Sequence, residues 1–534
     1  DLPERCIALL IILSSCFQLH SASSSFYDSD AMREATTAPP ESYYDFIIVG
    51  GGTAGCPLAT TLSNGGAKVL LLERGDSPYG NTNITRKENF GKPLKDHSPS
   101  SPAQLFTSTD GVHNARGRAL GGTSCLNAGF YSRASAQYVI DAKWDPALVL
   151  DSYRWVEKQV VSWPQVGNWQ AAVAAGLVET GVKPFYGFSY DHFVGTKFGG
   201  TTFDPTGQRH TAADLLTTAN PNTLTVLLHA TVEKLLFDKA GTGKPVATGV
   251  VFTDSAGVTH RACLTKGRNN AVILTAGTLG SPQLLMLSGI GPKSHLQSKN
   301  IPVVLDQPMI GRLMADNPMA AVFVPSPSTV NFSLVEAVGI TDSGTIIEAA
   351  GGGSKVLNIL STSDVPIPDI FKGGLILEKV EKPLSKGSLQ LETLDVRDNP
   401  SVTFNYFSQP EDLSTCVKGL QVIQGVINSK KFAPFYDKNF VNTILWPWGP
   451  PFNGSLEEYC KEAKLTIWHY HGGCVVGKVV DNDYKFIGVD ALRVIDSSTF
   501  DQSPGTNPQA SVMMLGRYMG IKILAERRPY TETE

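Results

Sequence analysis

An α/β fold, α+β when taken over the whole chain, is what this sequence predicts. Three observations carry that expectation. An apolar run near residue 45 ends in glycines and leads through a helix-like stretch to a second apolar run. Alternating stretches (KGSLQLETL, SVTFNYF) occupy the region from 318 to 465, and the chain then returns to a short strand, ALRVID, before a final helix pattern. The first pattern is a parallel βαβ unit, the second a mostly antiparallel sheet inserted between its halves. At 534 residues and 42% hydrophobic content, the chain can bury a large core in roughly two or three domains.

The N-terminal stretch comes first. Arg5 precedes the apolar run Cys6 to Phe17 and the small residues SASSS at 21–25, the layout of a secretory signal peptide over residues 1–25. That run is too short to span a bilayer comfortably, and no later stretch approaches the necessary length. Six cysteines follow it (Cys56, Cys125, Cys263, Cys416, Cys460, Cys474) without a CxxC pair, so zinc and iron–sulfur readings fail and no metal is expected. Sequons at Asn83, Asn331 and Asn453 fit export. A net charge of −4, 18% charged residues and no long basic run leave no electrostatic footprint for nucleic acid or an anionic membrane. A small molecule is the expected partner.

After a polar spacer, Ser29 to Glu41, the segment Tyr44 to Val49 reads as a buried strand, GGGTAG follows at 50–55, a helix runs through Leu62, and KVLLLE at 68–73 is a second strand. Gly50 permits a tight turn, Gly52 lets backbone approach a pyrophosphate, and Gly55 allows close helix packing, as a Rossmann-like dinucleotide site requires. The helix N-terminus offers free N–H groups to an anion. Glu73, at the end of the second strand, can accept from a ribose hydroxyl. NAD and FAD both remain open on these residues.

Farther along, RGRALGGTSCLNAGFYSRA (Arg116 to Ala134) has paired glycines and no strong period, so it reads either as a loop covering a cofactor ring or as an exposed linker. An aromatic-rich stretch from 155 to 204 precedes the strand-like NTLTVLLHATVEKLLF and NAVILTAG. In GTLGSPQLLMLSGIGP, Pro282 to Ser288 is a helix-length apolar run, either aimed at the cofactor or simply capped core. The glycine-rich GTIIEAAGGGS at 344–354 predicts a flexible loop, Asp412 to Ile427 a helix, and the chain from about Pro508 an amphipathic helix whose N-terminus can meet an anionic ring edge. WHYHGG at 468–473 is open to three readings: a metal edge, a general base with its supports, or core packing.

Taken together, GGGTAG with Glu73, the loop at 116–134, the segment at 277–291 and the HYHGG and GTNPQA ends resemble the glucose-methanol-choline family of FAD oxidoreductases, across nearly the whole chain. HNARGRALGGTSCLNAGFYSRA, TIWHYHGGCVVGKVV and RVIDSSTFDQSPGTNPQA are most similar to the plant branch of HOTHEAD-type proteins and mandelonitrile lyases. The resemblance implies FAD. It also implies an FAD-binding domain over 42–150, 205–315 and 466–534, with a substrate-binding domain over 151–204 and 316–465. Carried onto this chain, it makes His469 the base beside the flavin and Asn507 the residue holding the substrate oxygen. Gly50, Gly52, Thr53, Ala54, Gly55, Glu73 and Arg74 would surround the dinucleotide, and Val232 would meet the adenine through its backbone. Gly122, Thr123, Ser124 and Asn127 would form the flavin-proximal loop, with Trp468, Asp496, Pro508 and Gln509 nearby. Leu126 stands where some relatives attach FAD through a histidine, which implies noncovalent FAD. Cys416 and Cys460 match a disulfide pair of the lyase branch. A secreted monomer acting on a small alcohol or cyanohydrin is the resulting expectation.

Two chemistries share this resemblance. In one, His469 takes the hydroxyl proton of an alcohol while hydride leaves its carbon; in the other, a base deprotonates a cyanohydrin and cyanide departs, with FAD a spectator. Departures from the lyase pattern favour the first: Asn507 replaces a second histidine, Ile467 a tyrosine, and no cysteine lies between Val338 and Pro366. His471 reads as structural, and Trp468 and Tyr470 as pocket wall or core.

Overall fold

A computed structural model describes residues 26, 29–239, 243–267, 269–361, 365–436, 454–505 and 507–527. The expected signal segment, 1–25, and the sequon asparagine Asn453 lie outside the described residues, whereas Asn83 and Asn331 are exposed.

The regular elements that position the site are, in chain order, β1 (Met32–Glu34), β2 (Phe46–Val49), α1 (Gly55–Asn64), β3 (Val69–Leu72), α2 (Asn168–Glu179), β4 (Phe185–Phe188), β5 (Gly195–Phe198) and β6 (Leu224–Leu228). There follow β7 (Ala271–Leu274), α3 (Gly277–Leu287), β8 (Met319–Pro325), β9 (Ala337–Ile340), β10 (Thr345–Gly351), β11 (Gly373–Val380), α4 (Pro410–Asn428), β12 (Leu492–Val494) and α5 (Gln509–Arg527).

Six strands form a parallel sheet in the order β1-β6-β3-β2-β7-β12. The strands FIIV and VLLL are apolar at every position because both faces of this sheet are covered. Phe46, Ile48, Val69 and Leu71 pack with α1 and α5, while Ile47, Val49, Leu70 and Leu72 pack with α3 and a four-stranded sheet built from Glu41–Tyr44, Thr231–Lys239, Pro245–Thr253 and Thr259–Leu264. The Tyr44-to-Glu73 unit of the sequence is therefore the centre of a doubly wound sheet. The sheet also takes β1, N-terminal to the segment expected to begin at 42, and the helix Pro146–Val160 runs through the boundary expected after 150.

A second six-stranded sheet has the order β8-β11-β10-β9-β5-β4, antiparallel except for the β4–β5 pair. Helices α2 and α4 cover one face. A disulfide joins Cys416 of α4 to Cys460 on the short helix Leu456–Glu462, with S–S 2.05 Å.

Three expectations need correction. GTIIEAAGGGS is not a flexible loop: its residues 345–351 are β10, buried at every position near the middle of this sheet. The glycines that suggested a loop punctuate the strand instead, with Gly344, Gly352 and Gly353 at positive φ on either side of it. NTLTVLLHATVEKLLF is two strands in different sheets, parted at His229, whose φ is 54°. The last helix is not amphipathic over its first three turns; from Gln509 to Gly520 every residue but Arg517 is buried, because the helix runs between α1 and Pro146–Val160.

Candidate functional site

The turn between β2 and α1 shows three different demands on glycine. Gly50 has φ 104° and comes so close to the β7 end that a Cβ would lie 2.6 Å from the Thr275 carbonyl oxygen. At Gly55 a Cβ would lie 2.1 Å from the Gly50 carbonyl oxygen, so only hydrogen lets the helix start against its own turn. Gly52 differs: the nearest protein atom to its Cβ would be 3.7 Å away, and the open space belongs to a cavity. Among the described residues, the N–H groups of Gly52, Thr53 and Ala54 make no hydrogen bond within the chain. They are the orphan donors of a helix start, and they stand at the rim of that cavity.

The Glu73 carboxylate braces the same turn. One oxygen accepts from Gly51 N–H at 2.9 Å and the other from Gly75 N–H at 2.8 Å, while burial pushes its carboxyl above the ordinary range. Glu73 also lines the cavity.

All the residues expected around cofactor and substrate line this one cavity, with the exception of Gly55, whose part is the packing just described. Several of them, however, spend their polar atoms on the protein. Asp496 accepts from Gly277 N–H (2.9 Å), Ser281 Oγ (2.6 Å) and Ser498 N–H (2.8 Å), tying the start of α3 to the segment after β12. Ser124 Oγ donates to Gly121 O and accepts from Ala212 N–H. Gln509 donates to Phe130 O at 2.6 Å and accepts from Asn127 Nδ2 at 2.9 Å, so the 116–134 segment and α5 are locked together. That segment is a close-approach element rather than a linker: it contributes Arg116, Gly117, Gly122 to Ser124 and Asn127 to Phe130 to the cavity wall. Val232 lines the far end beside a register shift in its strand pairing.

The other end of the cavity carries the HYH segment. His469 is buried, and its Nδ1 has no hydrogen-bond partner among the described residues. Burial first, then the nearby Lys379 cation and His471, hold its imidazole well below the ordinary histidine range, so it is neutral and keeps one ring nitrogen with a free lone pair. His471 is turned away from this role: its Nδ1 bonds the His469 carbonyl oxygen at 3.1 Å, and burial pulls its pKa down to about 3. Beneath the segment, Asp316 accepts from Thr466 Oγ1 and Tyr406 Oη, both at 2.6 Å, and from the His469 backbone N–H. Burial pushes Asp316 up to about 6. Trp468, at φ 61°, completes a tight turn with its N–H on Thr466 Oγ1. Tyr470 donates to the Ala115 carbonyl oxygen at 2.8 Å.

Asn507 lines the cavity with His469, and its Oδ1 accepts from Lys379 Nζ at 2.9 Å. Lys379, with Glu348, was not singled out from sequence, nor were Arg116, Gln283 and Asp316. A signal existed for the first pair. In the apolar strand GGLILEKV, consecutive residues face opposite sides, so the adjacent Glu378 and Lys379 put a charge-bearing group on each face of a strand that is buried on both. Glu378 sits on the α4 side, where burial pushes its carboxyl well above the ordinary range; Lys379 faces the cavity side and needs a counter-ion.

These residues fit a dinucleotide cofactor: Gly52 leaves the room a Cβ would fill, three backbone donors stand at the cavity wall, and the Glu73 carboxylate that would hold a ribose hydroxyl lines the same cavity. The comparisons agree. The N-terminal model of GMC oxidoreductase matches residues 44–319 and the C-terminal model residues 383–516. Protein HOTHEAD of Arabidopsis thaliana is 49% identical, over 91% of this chain and 89% of its own length. The (R)-mandelonitrile lyase-like protein of the same plant is 47% identical, over 92% of each chain. Sinalpyl alcohol oxidase Nec3 of Nesocodon mauritianus is 41% identical over 98% of each. With both halves of the family model matched in order and the cavity formed where they meet, this chain belongs to the GMC oxidoreductase family.

Proposed function

We propose that the protein is an FAD-dependent oxidoreductase that converts the CH–OH group of a small alcohol to a carbonyl, with His469 as base and Asn507 holding the substrate oxygen. The observation that carries this reading is the neutral, buried His469 imidazole, whose Nδ1 has no partner among the described residues, lining the same cavity as the glycine turn at Gly52. Noncovalent FAD would be held by the free N–H groups of Gly52, Thr53 and Ala54, by Glu73 and Arg74, and by the backbone of Gly122, Thr123 and Val232, over the domain segments expected from the sequence. When bound, FAD supplies the two-electron acceptor.

His469 would take the hydroxyl proton as the C–H hydrogen leaves, so that an alkoxide is never released into a buried site. Asn507 contributes a neutral amide, which can donate to the substrate oxygen as its charge develops without titrating itself. The lyase alternative asks for a second titrating group opposite the base; Asn507 at that place and Ile467 beside Trp468 support oxidation instead. Among the described residues no helix is long and apolar enough to cross a membrane, and the Cys416–Cys460 disulfide supports the secreted reading.

The test is anaerobic mixing of the flavin-loaded protein with benzylic and long-chain primary alcohols. Bleaching of the flavin absorbance is expected; cyanide release from mandelonitrile without any bleaching would establish the lyase reading in its place. His469→Ala is expected to slow bleaching by about 10²–10⁴-fold while the protein stays yellow. A colourless variant would assign this residue to cofactor retention.

A further inference from the structure

The side chains of Lys379 and Glu348 are each 1% exposed and their Nζ and Oε1 are 2.8 Å apart, in the middle of the second sheet. The register explains the contact. Lys379 lies opposite Ile346 and Glu348 opposite Leu377 on the β10–β11 pair, so the two are diagonal neighbours on one face. Stability is a poor account of such a pair, since apolar residues of similar volume usually serve a buried site as well or better. A second contact supplies another account. Lys379 Nζ also donates to Asn507 Oδ1 at 2.9 Å, and Asn507 is only half-buried at the wall of the cavity that His469 lines.

An ammonium group has donors and no acceptor. Only the carboxamide oxygen can therefore face it; rotating the amide would set its NH₂ against the ammonium. We propose that Lys379, clamped by Glu348, is a positioning residue that locks the Asn507 carboxamide with its oxygen inward and its NH₂ toward the cavity. The site thereby presents a fixed donor to the substrate oxygen. This deepens the oxidoreductase reading and rests on it. Lys379 also acts on His469, but only by disfavouring its protonated form; in the binding of a neutral alcohol to the already neutral imidazole, the effect of the buried pair runs through Asn507 and must vanish once Asn507 is gone.

That non-additivity is the test, read as binding and not as turnover. The probe is dimethyl phenyl carbinol, a tertiary alcohol that offers a hydroxyl but has no carbinol hydrogen to lose, titrated into the flavin-loaded protein by its effect on the flavin spectrum. The double variant Lys379→Met/Glu348→Met removes both charges together, which avoids stranding one of them. It and Asn507→Ala are each expected to weaken binding about tenfold, the worth of one hydrogen bond to the substrate oxygen. The triple variant is expected to bind as Asn507→Ala does. Should the double variant not fold, Asn507→Asp keeps an oxygen for Lys379 but removes the NH₂, and is expected to lose the same tenfold. Wild-type binding by the double variant or by Asn507→Asp, a further loss in the triple variant, or a wild type that does not bind the carbinol would overturn the proposal. The oxidoreductase reading fails separately, when wild-type flavin is bleached by no primary or secondary alcohol.

Discussion

At the scale of single residues, the HYH segment separates two histidines of one type by what surrounds them. His469 lines the cavity and, among the described residues, its buried Nδ1 has no partner, whereas His471 does not line it and holds its Nδ1 on a backbone carbonyl. The burial of His471 makes stability depend on pH. His471 titrates at about 3 in the folded chain against 6.5 for a free imidazole. Between those values the unfolded chain binds the extra proton, so stability is full above 6.5 and declines as pH falls, by up to about 5 kcal/mol at the lower end. Asp316, raised from 3.8 to about 6, works in the opposite sense: the folded chain binds its proton first, which offsets up to about 3 kcal/mol of the decline across that window. His471→Gln keeps a donor for the His469 carbonyl but cannot titrate. Its urea midpoint is expected to fall much less than the wild-type midpoint between pH 6.5 and about 4, and equal slopes for the two proteins would refute the assignment.

At the scale of an element, the β2–α1 turn makes two glycines of one motif behave differently under the same substitution. Gly55→Ala drives a methyl to within 2.1 Å of the Gly50 carbonyl oxygen and 2.8 Å of Thr275 Oγ1. A loss of roughly 1–3 kcal/mol is expected whether or not flavin is present, seen as a lower melting temperature in both forms. Gly52→Ala meets no atom nearer than 3.7 Å and fills cavity instead. Its flavin-free form is expected to melt like the wild type while its FAD dissociation constant, followed by flavin fluorescence, rises. Equal destabilisation of the flavin-free proteins would show that Gly52 serves the turn and not the ligand. The motif could be read from sequence because such turns recur with glycines in fixed places; which glycine answers to the protein and which to the cavity depends on the folded turn itself and on Thr275, just past β7 and over two hundred residues away in the chain.

On the whole-molecule scale, the protein joins a parallel sheet that carries the glycine turn to an antiparallel sheet that carries Lys379 and Glu348, with the HYH segment and Asn507 between them. The disulfide belongs to the helix layer of the second sheet, on the face opposite the cavity. It bridges residues 44 apart in sequence. Replacing Cys416 and Cys460 by Ala is expected to lower stability by up to about 4 kcal/mol through the released loop. The urea midpoint should drop, and kcat for alcohol oxidation should hold; a matched loss of kcat would mean that this layer governs the cavity. Reading the chain by its glycines succeeded at residues 50–55 and failed at 344–354, because a glycine at a strand end and one in a loop leave the same local mark. What distinguishes them is the burial of Ile346, Ile347 and Glu348 between neighbouring strands.

The sequence by itself determined the glycine turn between strand and helix, the family, and His469 and Asn507 as two residues that line one cavity, since each rests on residue types in a short, fixed spacing. Only the tertiary structure decided which polar atoms remain available. Asp496, Ser124 and Gln509 spend theirs on holding segments together, and Asn507 has its amide oriented by a lysine 128 residues away, which is in turn held by a glutamate across the sheet. Spacing along a chain records which side chains are present; hydrogen-bond partners and burial are set by strands that pair from distant segments, and no local pattern encodes them.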